Sequence, residues 1–97
     1  MHILFHPDAD DEANAAHDWY ADRSIAAAES FERELDHSVK AIADNPTLWS
    51  DYVHGTKRYL MKRFPFVIVY RPKPSHIEII AVAHGRRRPG YWRERLG

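Results

Sequence analysis

The chain contains no cysteine. Disulfide frameworks, thiolate zinc sites and cysteine nucleophiles are therefore excluded. Glycine is scarce, with only Gly55, Gly85, Gly90 and Gly97. None belongs to a glycine-rich phosphate loop or a Gly-x-Ser-x-Gly elbow, so those nucleotide-binding and hydrolase fingerprints are missing. Long apolar runs are missing too. The longest, residues 64–70 and 79–83, fall far short of the ~20 residues a membrane-spanning helix needs. No N-terminal apolar segment has the form of a signal peptide, which makes a cytoplasmic protein with no membrane contact the expectation. Net charge is also absent, with 14 basic and 14 acidic residues.

What is present is a 97-residue chain, 44% apolar, which predicts one domain over residues 1–97. The zero net charge conceals a division. Residues 1–54 hold twelve acids and three bases, a balance of −9, whereas residues 55–97 hold eleven bases and two acids, a balance of +9. Two readings follow. Either one end of the molecule meets a polyanion or an acidic partner, or the halves neutralise each other within the fold.

The apolar stretch 1–6 predicts a strand, punctuated by Pro7 and Asp8, with Asp8 as a helix cap. Ala9, Ala13, Ala16 and Tyr20 recur at helical spacing. Ser24 is the expected cap of a second helix, whose stripe is Ala28, Phe31, Leu35, Val39 and Ile42. Glu29–Arg33 and Asp36–Lys40 are expected i,i+4 pairs on its outer face. Asn45-Pro46 ends it. Residues 47–55 read as a loop carrying Trp49 and Tyr52. Alternation from Lys57 to Arg63 predicts a half-exposed strand, interrupted by Phe64-Pro65. Residues 66–70 and 77–83 predict a hairpin of buried strands. The fold class is thus α+β, in the order β-α-α-β-β-β. It is a small antiparallel-rich sheet with a helical hairpin packed on one face.

The strongest local feature is Arg86, Arg87 and Arg88 with Tyr91, Trp92, Arg93 and Arg95. Guanidinium forks pair with phosphate or carboxylate, and aromatics offer stacking surfaces. The bland alternative is a solvated tail whose Trp92 folds back onto the sheet. Arg58, Lys62 and Arg63 on the preceding strand are placed to extend the basic surface. His84 closes the last strand, either as a general acid or base or as a structural hydrogen-bonding residue. His2 and His6 lie four apart but lack further ligands, so no metal site and no cofactor are expected. Trp19, Tyr20 and Trp49 read as packing residues.

Taken in order and spacing, several motifs resemble the RelE/ParE superfamily, the toxin halves of bacterial type II toxin-antitoxin systems, over nearly the whole chain. They are Trp19-Tyr20, Ile42-Ala43-Asp44-Asn45-Pro46, Arg63-Phe64-Pro65-Phe66, Val69-Tyr70, and Ala81-Val82-Ala83-His84-Gly85-Arg86-Arg87-Arg88-Pro89-Gly90-Tyr91-Trp92. The resemblance implies a cognate antitoxin that wraps the toxin, with a homodimer or a hetero-oligomer with antitoxin as assemblies to consider. It implies one of two targets. ParE-like members poison DNA gyrase; RelE-like members cut mRNA on the ribosome. In the nuclease reading the catalytic residues are His84, Tyr91, Arg58 and Arg63. Tyr91 matches the RelE-like tail tyrosine, and Arg58 matches one strand cation, but Leu60 and Val67 stand where other cations are expected. In the gyrase reading Lys62, Arg86, Arg87, Arg88, Trp92 and Arg93 contact the target, and no proton transfer is needed. The Phe-Pro-Phe motif and the arginine-rich tail resemble ParE-like members. A third reading is a relic that binds its antitoxin without inhibiting growth.

Overall fold

The computed structural model describes residues 2–97. Strand β1 (His2–Phe5) leads into helices α1 (Pro7–Ala21) and α2 (Ile25–Asp44). Strands β2 (Ser50–Asp51), β3 (Lys57–Leu60), β4 (Phe66–Pro72) and β5 (His76–His84) follow. Single 3-10 turns cover Val53–Gly55 and Arg93–Leu96. The sheet order is β1-β5-β4-β3-β2. β1 runs parallel to β5, and every other pairing is antiparallel. The α+β class and the hairpin on one face are as the sequence predicts. Among the described residues no helix is long and apolar enough to cross a membrane.

Local chemistry sets the element ends. Pro7 begins α1, where its missing N–H costs nothing. The cap is His6, not Asp8: the His6 ring Nδ1 accepts the Asp8 N–H at 3.0 Å. Asp8 and Asp10 instead lie in the first turn, where negative charge meets the helix dipole favourably. Ser24 caps α2 through its Oγ, which accepts the Ala27 N–H at 3.1 Å. The expected Glu29–Arg33 and Asp36–Lys40 pairs are replaced by Arg33 on Ser30 and Lys40 on Asp44. On an exposed helix such pairs are worth about 0.3–0.5 kcal/mol, so nothing enforces one partner over another.

Two strand readings are corrected. Residues 47–55 are not all loop. Ser50 and Asp51 pair with Arg58 and Lys57, making a two-residue edge strand too short to show periodicity. β3 stops at Leu60 rather than Arg63, and a turn closed by the Met61 N–H on the Phe66 carbonyl carries Lys62 and Arg63. Pro65 cannot extend the ladder because it has no N–H. Of the N-terminal strand expected over residues 1–6, Met1 lies outside the described residues.

Ala9, Ala13 and Ala16 of α1 are buried, as are Ala28, Phe31 and Ile42 of α2. They pack against Tyr59, Met61, Ile68, Tyr70, Ile77, Ile79 and Val82. Tyr20 stacks on Phe31 with centroids 5.5 Å apart, and Trp49 meets Tyr59 edge-on at 4.8 Å. Trp19 departs from its packing role. It is 52% exposed, edge-on to Tyr20, with the Arg23 guanidinium 3.5 Å above its ring.

The second sheet face is covered by the chain's own end. Tyr91, Trp92 and Leu96, with Tyr52, pack on Val69, Ile80, Ala81 and Ala83. A bulge opposite Val69 and Tyr70 makes this possible. Ile80 and Ala81 both turn to this face, after which Val82 returns to the helical side. A bulge of this kind inserts one residue and reverses the alternation beyond it.

Candidate target-binding surface

β5 delivers His84 to the end of the sheet, and the basic loop follows. Gly85 N–H donates to the Pro65 carbonyl at 2.7 Å, docking the loop beside the β3–β4 turn. The His84 Nδ1 accepts the Arg86 N–H at 3.1 Å, and the His84 carbonyl accepts the Arg87 N–H at 2.9 Å. Tyr91 N–H then closes on the Arg88 carbonyl at 3.2 Å. Two consecutive turns thus hold Arg86, Arg87 and Arg88 outward, and all three are exposed. Arg86 borders the same hollow as Leu60, Met61 and Phe64, so Lys62 and Arg63 share this end of the molecule.

Not every cation of the second half remains free. Lys57 pairs with Asp51 at 2.7 Å, Arg71 with Glu78 at 2.8 Å, Arg95 with Glu12 at 2.8 Å, and Arg63 leans on Glu34 at 3.7 Å. Arg58, Lys62, Lys73, Arg86, Arg87, Arg88 and Arg93 have no carboxylate partner among the described residues. The reading in which the halves neutralise each other therefore holds only in part. Four of the eleven bases are neutralised internally. Lys62 and the three loop arginines gather at one sheet end. Arg58 and Arg93 lie along the tail-covered face, and Lys73 sits in the β4–β5 turn at the opposite end.

Trp92, one of the expected contact residues, is buried in this structure. It is 1% exposed and fills the second core beside Tyr52 and His54. A buried tryptophan stabilises by roughly 3–5 kcal/mol relative to alanine, so its place is structural, and the tail is a cover rather than a free arm.

Of the four nuclease candidates, His84 and Tyr91 line one groove, whereas Arg58 and Arg63 lie outside it. His84 faces the helical side, edge-on to Phe66 at 5.3 Å. Arg58 pairs with Val69 on the other face and lies over the Tyr52 ring at 4.8 Å. Arg63 sits in the β3–β4 turn, near Glu34. Tyr91 donates its hydroxyl proton to Glu12 Oε2 at 2.5 Å. Burial, then the Glu12 hydrogen bond and charge, hold this phenol well above the ordinary tyrosine range, although Arg95 and Arg87 partly oppose them. The hydroxyl is therefore a protonated structural donor at neutral pH. That groove, of about 450 Å³, runs between α1 and the end of β5, and Trp19, Tyr20 and Phe66 line it together with His84, Arg87 and Tyr91.

The residue that organises this region, Glu12, is one the sequence reading passes over. It accepts from the Val82 N–H, the Tyr91 hydroxyl and both terminal nitrogens of Arg95. The available signal is its position: Ala9, Glu12, Ala13 and Ala16 share one helical face. A carboxylate in an apolar stripe requires buried donors.

A family model described as the ParE toxin of the type II toxin-antitoxin system parDE matches residues 3–89. No curated protein matches the chain in sequence. Among solved structures, the chromosomal ParDE toxin-antitoxin system of P. aeruginosa is similar in fold, with a TM-score of 0.74 at 19% identity. The match covers 87% of this chain and 95% of that one.

Proposed function

The chain belongs to the ParE toxin family of type II toxin-antitoxin systems, and on that premise we propose that it arrests growth by binding DNA gyrase rather than by cutting RNA. The contact surface in this reading is the basic sheet end, Lys62 with Arg86, Arg87 and Arg88, and its neutralising partner is a cognate antitoxin. One observation carries the choice of target. The groups a ribonuclease needs are separated or engaged, with Arg58 and His84 on opposite faces of the sheet and the Tyr91 hydroxyl committed to Glu12. Cleavage of RNA needs a base for the 2′-hydroxyl and cations converging on one phosphate. A binding inhibitor needs only an exposed surface, and the loop arginines supply one.

The test compares two assays on the purified toxin: supercoiling by gyrase, and cleavage of mRNA on translating ribosomes. Inhibited supercoiling with intact mRNA is the expected result. His84→Gln keeps that inhibition within a factor of about three, whereas Arg86/Arg87/Arg88→Ala weakens it roughly 10- to 100-fold, three exposed cations at about 0.5–1 kcal/mol each. Ribosome-dependent cleavage that His84→Gln abolishes would establish the nuclease instead. Normal growth on induction without antitoxin would point to the relic.

A further inference from the structure

We infer that Glu12 is a positioning residue, the tie through which α1 holds the C-terminal segment and fixes the place of the arginine loop. The inference rests on reading that loop as the contact surface. Its physical basis begins at the sheet edge. β1 pairs only with residues 76–79 of β5. Among the described residues no strand lies beside the outer edge of β5 beyond Ile79, and unpaired backbone groups in a buried place are costly. Side chains substitute for the missing strand. Glu12 Oε1 accepts the Val82 N–H at 3.1 Å, and Arg95 Nη1 donates to the Ile80 carbonyl at 3.1 Å.

The same carboxylate also fastens the tail. Oε1 accepts from Arg95 Nη1 at 2.8 Å, and Oε2 accepts from Arg95 Nη2 at 3.2 Å and from the Tyr91 hydroxyl at 2.5 Å. Asp8 adds a longer ion pair to Arg95 at 3.6 Å. Four hydrogen bonds fill the acceptor capacity of one carboxylate. The Glu12 and Arg95 side chains are only 17% and 15% exposed, so each compensates a charge that solvent would otherwise have to reach. Tyr91 and Arg95 lie beyond residues 3–89, the span matched by the family model.

The consequence for the loop is geometric. Its first end is fixed by Gly85 on Pro65, and its second end by Tyr91 on Glu12. The Arg87 guanidinium lies 3.7 Å over the Tyr91 ring, a stacking distance for a cation on an aromatic face. Glu12 thus sets Tyr91, and Tyr91 sets Arg87. Burial of Trp92 retains the rest of the tail when this tie is cut, so the loop loosens while the fold persists.

The experiment measures amide hydrogen exchange segment by segment, together with inhibition of gyrase supercoiling, in Glu12→Ala, Glu12→Gln and Tyr91→Phe. Glu12→Ala is expected to speed exchange over residues 85–91 roughly 10- to 100-fold, leave β4 and α2 protected, and weaken inhibition about tenfold. Glu12→Gln, which keeps an acceptor for Val82, falls between Glu12→Ala and wild type in both readouts. Tyr91→Phe cuts one link without disturbing Arg95, and it carries the test if Glu12→Ala fails to fold. Unchanged exchange over 85–91 overturns the inference. So does faster exchange with undiminished inhibition where Arg86/Arg87/Arg88→Ala has abolished it. If that triple variant inhibits like wild type, the contact reading alone falls, because exchange still reports whether Glu12 holds the loop.

Discussion

Tyr70 and Tyr91 are phenols placed where ionisation is unfavourable. Tyr70 is fully buried, donates to the Pro46 carbonyl at 2.7 Å, and is pushed up to about 12 by burial and then by the Asp51 charge. Tyr91 is raised by burial and by Glu12. A folded-state value above the unfolded value of about 10 means the folded protein holds its proton longer. The stability linked to the Tyr70 proton is complete below about pH 10 and is lost as pH rises through about 12, and Tyr91 acts in the same direction. Over that window Tyr70 steepens the fall by roughly 1 kcal/mol per pH unit. Tyr70→Phe should therefore lose stability less steeply between about pH 10 and 12, as measured by urea unfolding across that range. Tyrosinate absorbance should show Tyr70 and Tyr91 ionising with unfolding. Ordinary titration of both near pH 10 in the folded protein would contradict this account.

At the scale of elements, the joint between the 53–55 turn and the tail depends on two residues in the left-handed region. Gly90 has φ +85°, and a Cβ placed there would come within 3.0 Å of the His54 Nε2. His54 itself has φ +60°, and its ring meets Trp92 edge-on at 6.0 Å. Gly90→Ala therefore combines backbone strain of about 1–2 kcal/mol with a push against the side chain that braces Trp92. The expected outcome is a melting temperature lower by roughly 4–8 °C per kcal/mol lost, read by Trp fluorescence on heating. An unchanged melting temperature would show that the tail adjusts freely at this joint. The β5 bulge acts at the same scale. By turning Ile80 and Ala81 to one side, it builds the tail's seat and returns His84 to the helical face.

Across the whole molecule the charge division persists as a partial segregation. The loop arginines and Lys62 end the sheet, while most carboxylates stay on the helical half. Attraction between such a surface and an acidic target weakens as salt shortens the screening length from about 30 Å at 0.01 M to about 8 Å at 0.15 M. In the gyrase reading proposed above, inhibition should accordingly weaken between these ionic strengths, chiefly through a slower association rate. Arg86/Arg87/Arg88→Ala should flatten that dependence. A salt-independent association rate in the intact toxin would remove steering from the mechanism. Lys57, Arg71 and Arg95, already paired internally, should contribute little to it.

Element order apart from the two-residue β2, the two helices, the buried hairpin of strands and the family resemblance were legible in the chain alone. Proline positions, the Ser24 cap and the period of apolar residues act over a few neighbours, so sequence order already contains them. The candidate site was legible only as a set of residue types. Whether Arg95 is a surface cation or an internal counter-ion depends on Glu12, 83 residues away. Which face His84 takes depends on a bulge that no alternation pattern announces, and whether Trp92 meets a target depends on a vacant sheet face that it happens to fill. Local propensity fixed the parts. Long-range packing decided which charges and rings stay in solvent, because burial and pairing belong to surfaces brought together only by the finished fold.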